Sequence, residues 1–324
     1  MAPYIAYILI KNFESTSKKL GFDKFSIIRV DSRNWEEIKE IFNPIPVYRT
    51  GQHYIERRYE KVPPLYCDAD DVSDVSGFGR IPYDSEDLMF LLRLYKAGDI
   101  VFEAHVIKDP DGNISHQYPY PMAFSNYHSP CHYKISEEDV IKFNKFSEEV
   151  SECAGWNSEW FKITRRYFLW GGSKEFFPGR DNERILDYMI ALEAALVPET
   201  ERVSLRLRKR AAAILGGDNK NIKNRINNFY GVRSTLAHGN ALSRKQIKIL
   251  ETQSFFFEND VRELIKSTLK NCLSNENARK KYLCKLGDIS DEEKGDKIIE
   301  DFKSIINNTV RENILKSIFS EICK

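Results

Sequence analysis

The chain has 324 residues, is 42% hydrophobic, and sets 49 Lys and Arg against 48 Asp and Glu for a net charge of +1. Its length exceeds one typical domain and its apolar content suffices for one or two packed cores, which excludes a disordered chain and predicts a soluble, globular protein. The balanced charge excludes capture of nucleic acid by bulk attraction, so any RNA affinity must be local; the six cysteines, none in a Cys-x-x-Cys pair, predict reduced thiols and a cytoplasmic setting.

The first half reads as α+β. Tyr4 to Ile10, Phe25 to Val30, Leu88 to Tyr95 and Ile100 to Ile107 are predicted strands, and Lys108-Asp-Pro-Asp-Gly-Asn113 turns the last of them into Ile114 to Tyr118. Tyr4 to Ile10 is apolar but far too short to span a bilayer, and no signal-peptide pattern precedes it, so no membrane partner is expected. Trp35 to Phe42 is a short helix candidate, and Lys61 to Pro82, rich in Pro, Asp, Gly and Ser, a long loop. A helix from Ser136 to about Glu152 faces Val140, Phe143, Phe146 and Val150 inward. His128, Cys131 and His132, even with Cys67, lack a second ligand pair at zinc-finger spacing, so no metal or other cofactor is predicted.

An aromatic-rich stretch follows, with Trp156, Trp160, Tyr167, Phe168 and Trp170 interleaved by Lys162, Arg165 and Arg166. Two readings stand: packing of one domain on the other, which is favoured, or a base-stacking groove. Asn182 to Val197 then places Ile185, Leu186, Met189, Ile190, Leu192 and Leu196 at helical intervals before Pro198, and Val203 to Leu215 is a second amphipathic helix halted at Gly216-Gly217. A third begins near Asn221 and continues through or restarts at Gly231. A fourth opens on the capping box Ser243-Arg-Lys-Gln246 and runs to Leu269. Charged helices with an apolar stripe are expected at Glu276 to Leu286, Lys297 to Ile306 and Val310 to Ile322, with a further capping box at Ser290 to Glu293. The predicted organisation is an α+β unit over 1–155, a connection over 156–180, a helical bundle over 181–272 and a helical extension over 273–324.

No glycine-rich phosphate loop, zinc-protease signature, nucleophile elbow or dinucleotide fingerprint occurs. Arg233-Ser-Thr-Leu-Ala-His238 does set a permanent cation at short spacing from an imidazole. Histidine titrates near ~6.5 and so offers both base and acid forms, while the arginine fork suits phosphodiester oxygens. At ~100° per residue, positions five apart on one continuous helix point about 140° away from each other, so the pair need not converge within a single chain. A two-fold axis presents each residue twice and can bring the arginine of one copy to the histidine of the other.

The helix of Leu186-Asp-Tyr-Met-Ile-Ala-Leu-Glu-Ala-Ala-Leu196, Leu207-Arg-Lys-Arg-Ala-Ala-Ala-Ile-Leu-Gly216 and Tyr230-Gly-Val-Arg-Ser-Thr-Leu-Ala-His-Gly239, in that order over roughly 182–269, resemble the Apea-like branch of the HEPN superfamily. The resemblance implies an all-helical, homodimerising ribonuclease that cuts RNA without metal, with Arg233 and His238 as the catalytic pair. It implies supporting places for Ser234 and Glu193, a toxin or antiviral defence role, and an amino-terminal sensor or regulatory half answering a phage-derived or cellular trigger. Gly231 departs from the pattern, since relatives commonly carry an acid two residues before the arginine.

Two plainer readings stand beside these. Arg233 is also placed to pair with Glu193 or another helix carboxylate, and His238 to end a helix before Gly239. The basic residues Arg206, Lys209, Arg210 and Lys223 form a candidate RNA-contacting patch or an ordinary solvated helix face. A noncatalytic RNA- or nucleotide-binding module, or an interaction subunit, is the alternative to the nuclease.

Overall fold

The computed structural model describes residues 3–43, 51–60, 83–98, 100–117, 132–173, 181–216, 220–271 and 276–287. In chain order these contain strands β1 (Tyr4–Lys11), β2 (Phe13–Glu14), β3 (Lys19–Gly21) and β4 (Ser26–Arg29), helix α1 (Trp35–Ile41), strand β5 (His53–Tyr59), helix α2 (Tyr83–Tyr95), and strands β6 (Val101–Lys108), β7 (Ile114–Gln117) and β8 (Tyr133–Lys134). Helices α3 (Glu137–Ser151), α4 (Glu159–Ser173), α5 (Asp181–Leu196), α6 (Val203–Leu215), α7 (Lys220–Ala237), α8 (Arg244–Asn271) and α9 (Glu276–Gly287) follow. The protein is mixed α+β. The predicted helices over 297–306 and 310–322, the capping box at 290–293, the loop over 61–82, and Cys67, His128 and Cys131 lie outside the described residues. His132, the remaining member of that set, pairs with Glu14.

Six strands pair in the order β3-β4-β5-β1-β6-β7, antiparallel at every step. β1 is central because both of its faces are apolar, and such a strand has to be covered twice. Ile8 and Ile10 join Ile55 and Phe102 on one side. Tyr7 and Leu9 join Tyr54 and Val106 on the other, where α1 covers them with Ile38 and Ile41. The β6–β7 hairpin turns where predicted: Asp109 Oδ1 accepts the backbone N–H of Asp111 and Asn113, and Gly112 takes φ +89°, a left-handed value that glycine adopts without steric cost.

One element departs from the expectation outright. Leu88 to Tyr95, expected as a strand, is the last part of helix α2. Its residues Leu88, Met89, Phe90, Leu91, Leu92 and Leu94 are all buried, because α2 is enclosed between the sheet and the later helices. A helix covered all round shows no polar face, and a short unbroken apolar run cannot be assigned to strand or helix by period alone. Strand β5 escaped prediction for the opposite reason, since its second half, Glu56-Arg57-Arg58, is charged and only half-buried or exposed.

The stretch expected as a connection is largely helix α4, which packs most extensively against α5. Trp156, Trp160, Phe161 and Phe168 are buried, and Phe90 meets Trp156, Phe161 and Phe168 edge-on, so packing rather than base stacking accounts for these rings. One cluster runs from Ile8 and Phe102 through Phe90, Phe161 and Phe168 to Met189, Phe229 and Phe257. The sheet and the helices therefore share an interior.

That interior is fastened by charge. Arg93 of α2 donates to the carbonyls of Ile100 at 2.8 Å and Leu169 at 3.0 Å. Arg262 of α8 donates to the Arg93 carbonyl at 2.7 Å and to Glu258 at 2.9 Å, and Arg184 of α5 pairs with the same carboxylate. Burial alone would raise Glu258, but the guanidinia of Arg184 and Arg262 hold its carboxyl below the usual range. A folded value below the unfolded one stabilises the protein above the unfolded range, and that contribution is lost as pH falls through the folded value. Glu258→Ala, which removes the carboxylate shared by two buried guanidinia, is expected to cost about 3–5 kcal/mol in urea denaturation. Glu258→Gln is expected to flatten the loss of stability in acid.

Candidate functional site

The motif lies at the carboxyl end of α7. Ile222, Ile226, Phe229 and Val232 form the buried face of this helix, and Phe229 stacks on Phe257 of α8 with ring centroids 4.1 Å apart. The helix runs through Gly231 without a break, and a Cβ added there would meet nothing within 4 Å. It closes with a Schellman arrangement: Asn240 N–H donates to Thr235 O at 3.0 Å, Gly239 N–H to Leu236 O at 2.9 Å, and Gly239 supplies φ +69°. His238 is thus the capping residue, and its N–H donates to the Ser234 carbonyl at 3.2 Å.

Arg233 and His238 face different ways. Arg233 lies on the inner side, where one terminal guanidinium nitrogen donates to Glu193 Oε2 of α5 at 3.2 Å and its Cζ sits 5.8 Å from the Tyr230 ring centroid. Its side chain is 29% exposed. Arg233 Nε and Glu193 Oε1 are both buried and find no hydrogen-bond partner among the described residues. Burial pushes the Glu193 carboxyl above its usual range, against the pull of Arg233. His238 is exposed. Ser234 is half-buried beside Arg233. Arg233 therefore keeps the pairing of the plainer reading, and His238 does end a helix, while both remain within reach of solvent.

A second polar group, which sequence reasoning missed, fixes this end of the helix. Gln246 of α8 donates through Nε2 to the Gly231 carbonyl at 3.2 Å and to Thr235 Oγ1 at 2.7 Å, while its Oε1 accepts from the Ser243 N–H at 2.9 Å. The predicted capping box is present, but its glutamine also clamps α8 onto the motif helix. Sequence showed the capping half of this role and not the clamp, which depends on how the two helices meet.

The candidate RNA patch is largely structural. Arg210 is fully buried, and its guanidinium donates to the carbonyls of Leu196 at 2.7 Å and Leu283 at 3.1 Å and to both Glu199 oxygens at 2.7 Å. Buried in this way it is out of reach of RNA, and it serves the carboxyl end of α5, whose last carbonyls lack helical partners, by satisfying one of them. Arg279 of α9 serves the same end by donating to Ala195 O at 3.2 Å. Arg206 shares the same Glu199 carboxylate, at 2.9 Å. Lys209 and Lys223 are half-buried.

No helix among the described residues is long and apolar enough to cross a membrane. Comparison with protein-family models, curated proteins and solved structures finds no match.

Two stability measurements check this account. Gly231→Ala, which adds a methyl into open space inside a helix, is expected to stabilise the protein by about 0.5–1 kcal/mol. Arg210→Ala, which strips the end of α5 of a buried donor, is expected to lower stability by more than about 2 kcal/mol; a neutral result would return Arg210 to the surface.

Proposed function

We propose that the protein is a metal-independent endoribonuclease of the HEPN type that acts as a homodimer, with Arg233 and His238 as the reacting pair and Glu193 and Ser234 in support. The observation that carries this reading is the end of α7: an exposed imidazole at the helix cap, one turn beyond a guanidinium that a carboxylate holds in place. In the proposed reaction, His238 takes the proton of a ribose 2′-hydroxyl as its oxygen attacks the adjacent phosphorus. The bond from phosphorus to the 5′-oxygen breaks, and that oxygen is protonated by the histidine acting as acid. Arg233 neutralises the charge on the pentacoordinate phosphorus. The products are a 2′,3′-cyclic phosphate and a 5′-hydroxyl. Since the two groups diverge on one helix, a second copy is required to bring arginine to histidine. The role is that of a toxin or defence effector whose α+β half answers a trigger of phage or cellular origin.

A noncatalytic RNA- or nucleotide-binding module is the second reading, favoured by the ion pair between Arg233 and Glu193, which already occupies part of the arginine. Incubation of the purified protein with total RNA in chelator, with mapping of fragment ends, separates them. The expected result is fragments with cyclic phosphate ends, reduced at least ~100-fold in His238→Ala and in Arg233→Ala. Fragmentation that persists in both variants, or that stops in chelator, overturns the proposal.

A further inference from the structure

Beyond the motif, α8 carries an outward face that packing in the described residues does not use. Phe255 and Phe256 are 53% and 55% exposed, although rings of this size rarely stand open on a helix without a partner. At ~100° per residue, Arg244, Lys248 and Phe255 share one stripe within about 40°, and Lys245 lies within about 20° of Phe256 on the adjoining stripe. Arg244, Lys245 and Lys248 are exposed. Between Arg244 and Phe256 the only acid in the sequence is Glu251. Arg225 reaches over Phe256, its Cζ 5.9 Å from the ring centroid, but its charge is met by Asp260 at 2.5 and 3.0 Å, so it orients the ring rather than adding free charge. The basic end of this face adjoins the motif, because Gln246, between Lys245 and Lys248, is the residue clamped to Gly231 and Thr235 of α7.

Cations followed by open aromatic rings match single-stranded nucleic acid: phosphates meet lysine and arginine, and unstacked bases lie on the rings. A protein partner would gain the rings but leave three cations to be desolvated against it. We propose that the outer face of α8 is a binding track for single-stranded RNA, with Arg244, Lys245 and Lys248 on the backbone near the His238 end and Phe255 and Phe256 stacking bases about 10 Å further along the helix. The proposal rests on the RNA reading above for its ligand, and not on cleavage.

The test is fluorescence anisotropy with a labelled, mixed-sequence single-stranded RNA and its duplex, using the full chain carrying His238→Ala so that the probe stays intact. The single strand is expected to bind more tightly than the duplex. Phe255→Ala and Phe256→Ala are each expected to weaken single-strand binding at least ~5-fold. The triple change Arg244→Gln, Lys245→Gln, Lys248→Gln is expected to reduce the slope of log affinity against log salt by about 2. All these side chains are exposed, and unchanged melting temperatures would show that folding is intact. Wild-type affinity in both sets of variants overturns the track, as does an absence of RNA binding. A shift in sedimentation from dimer to monomer in the phenylalanine variants, with RNA affinity retained, assigns the face to a second copy of the chain and also overturns it. Binding through the track without any fragments from the parent protein leaves this inference standing and removes the nuclease; fragments produced with equal efficiency by the track variants do the reverse.

Discussion

The carboxylate of Glu258, between Arg184 and Arg262, is the constraint from which the arrangement of the helices follows. Arg262 reaches on to the Arg93 carbonyl, and Arg93 to Ile100 and Leu169, so one hydrogen-bonded chain passes from α5 through α8 and α2 to the start of β6 and to α4. Removing Glu258 would take the shared carboxylate from two buried guanidinia in a medium that penalises charge, whereas an apolar contact can be lost and partly refilled. The space around the cluster is correspondingly tight: a Cβ on Gly172 would lie 2.3 Å from the Arg93 guanidinium, and one on Gly171 2.7 Å from the Tyr188 ring. The glycine pair that follows the aromatic stretch allows α4 to approach α2 and α5 this closely.

Arginine does much of the structural work at helix ends as well. The last carbonyls of α5 have no partner within the helix, and Pro198 prevents continuation, so donors must come from elsewhere. Arg210 and Arg279 supply them from α6 and α9, and both are buried in doing so. A cluster of positive charge in sequence is therefore a poor guide to a charged surface here. Among the basic residues of α6, the one at the centre of the candidate patch is the most buried of all.

The end of the motif helix is held from three sides. Its end is closed by backbone hydrogen bonds around Gly239, clamped from α8 by Gln246, and tied to α5 through Arg233 and Glu193. These three restraints leave His238 as the exposed group. They also set where Arg233 and His238 stand relative to each other. Burial raises the Glu193 carboxyl against the pull of one guanidinium, whereas Glu258, held between two, is lowered.

Local chemistry determined a great deal without help from the fold. The Asp109–Asn113 turn, the capping box at Ser243, the glycine closing α7 and the 3.6-residue periods of α3, α5, α6, α7 and α8 depend on neighbours a few positions apart, and the structure places each where those neighbours require. That residues five apart on a helix point in different directions follows from helix geometry alone. Tertiary structure decided what depends on burial from several sides. It made Leu88 to Tyr95 a helix, because an apolar run enclosed by sheet and bundle carries no period to read. It drew Arg210 inside, because the carbonyls it satisfies lie 14 and 73 residues away. It left Phe255 and Phe256 outside, because apolar character gives a residue a preference for the interior, while the space available there is set by the packing of distant segments.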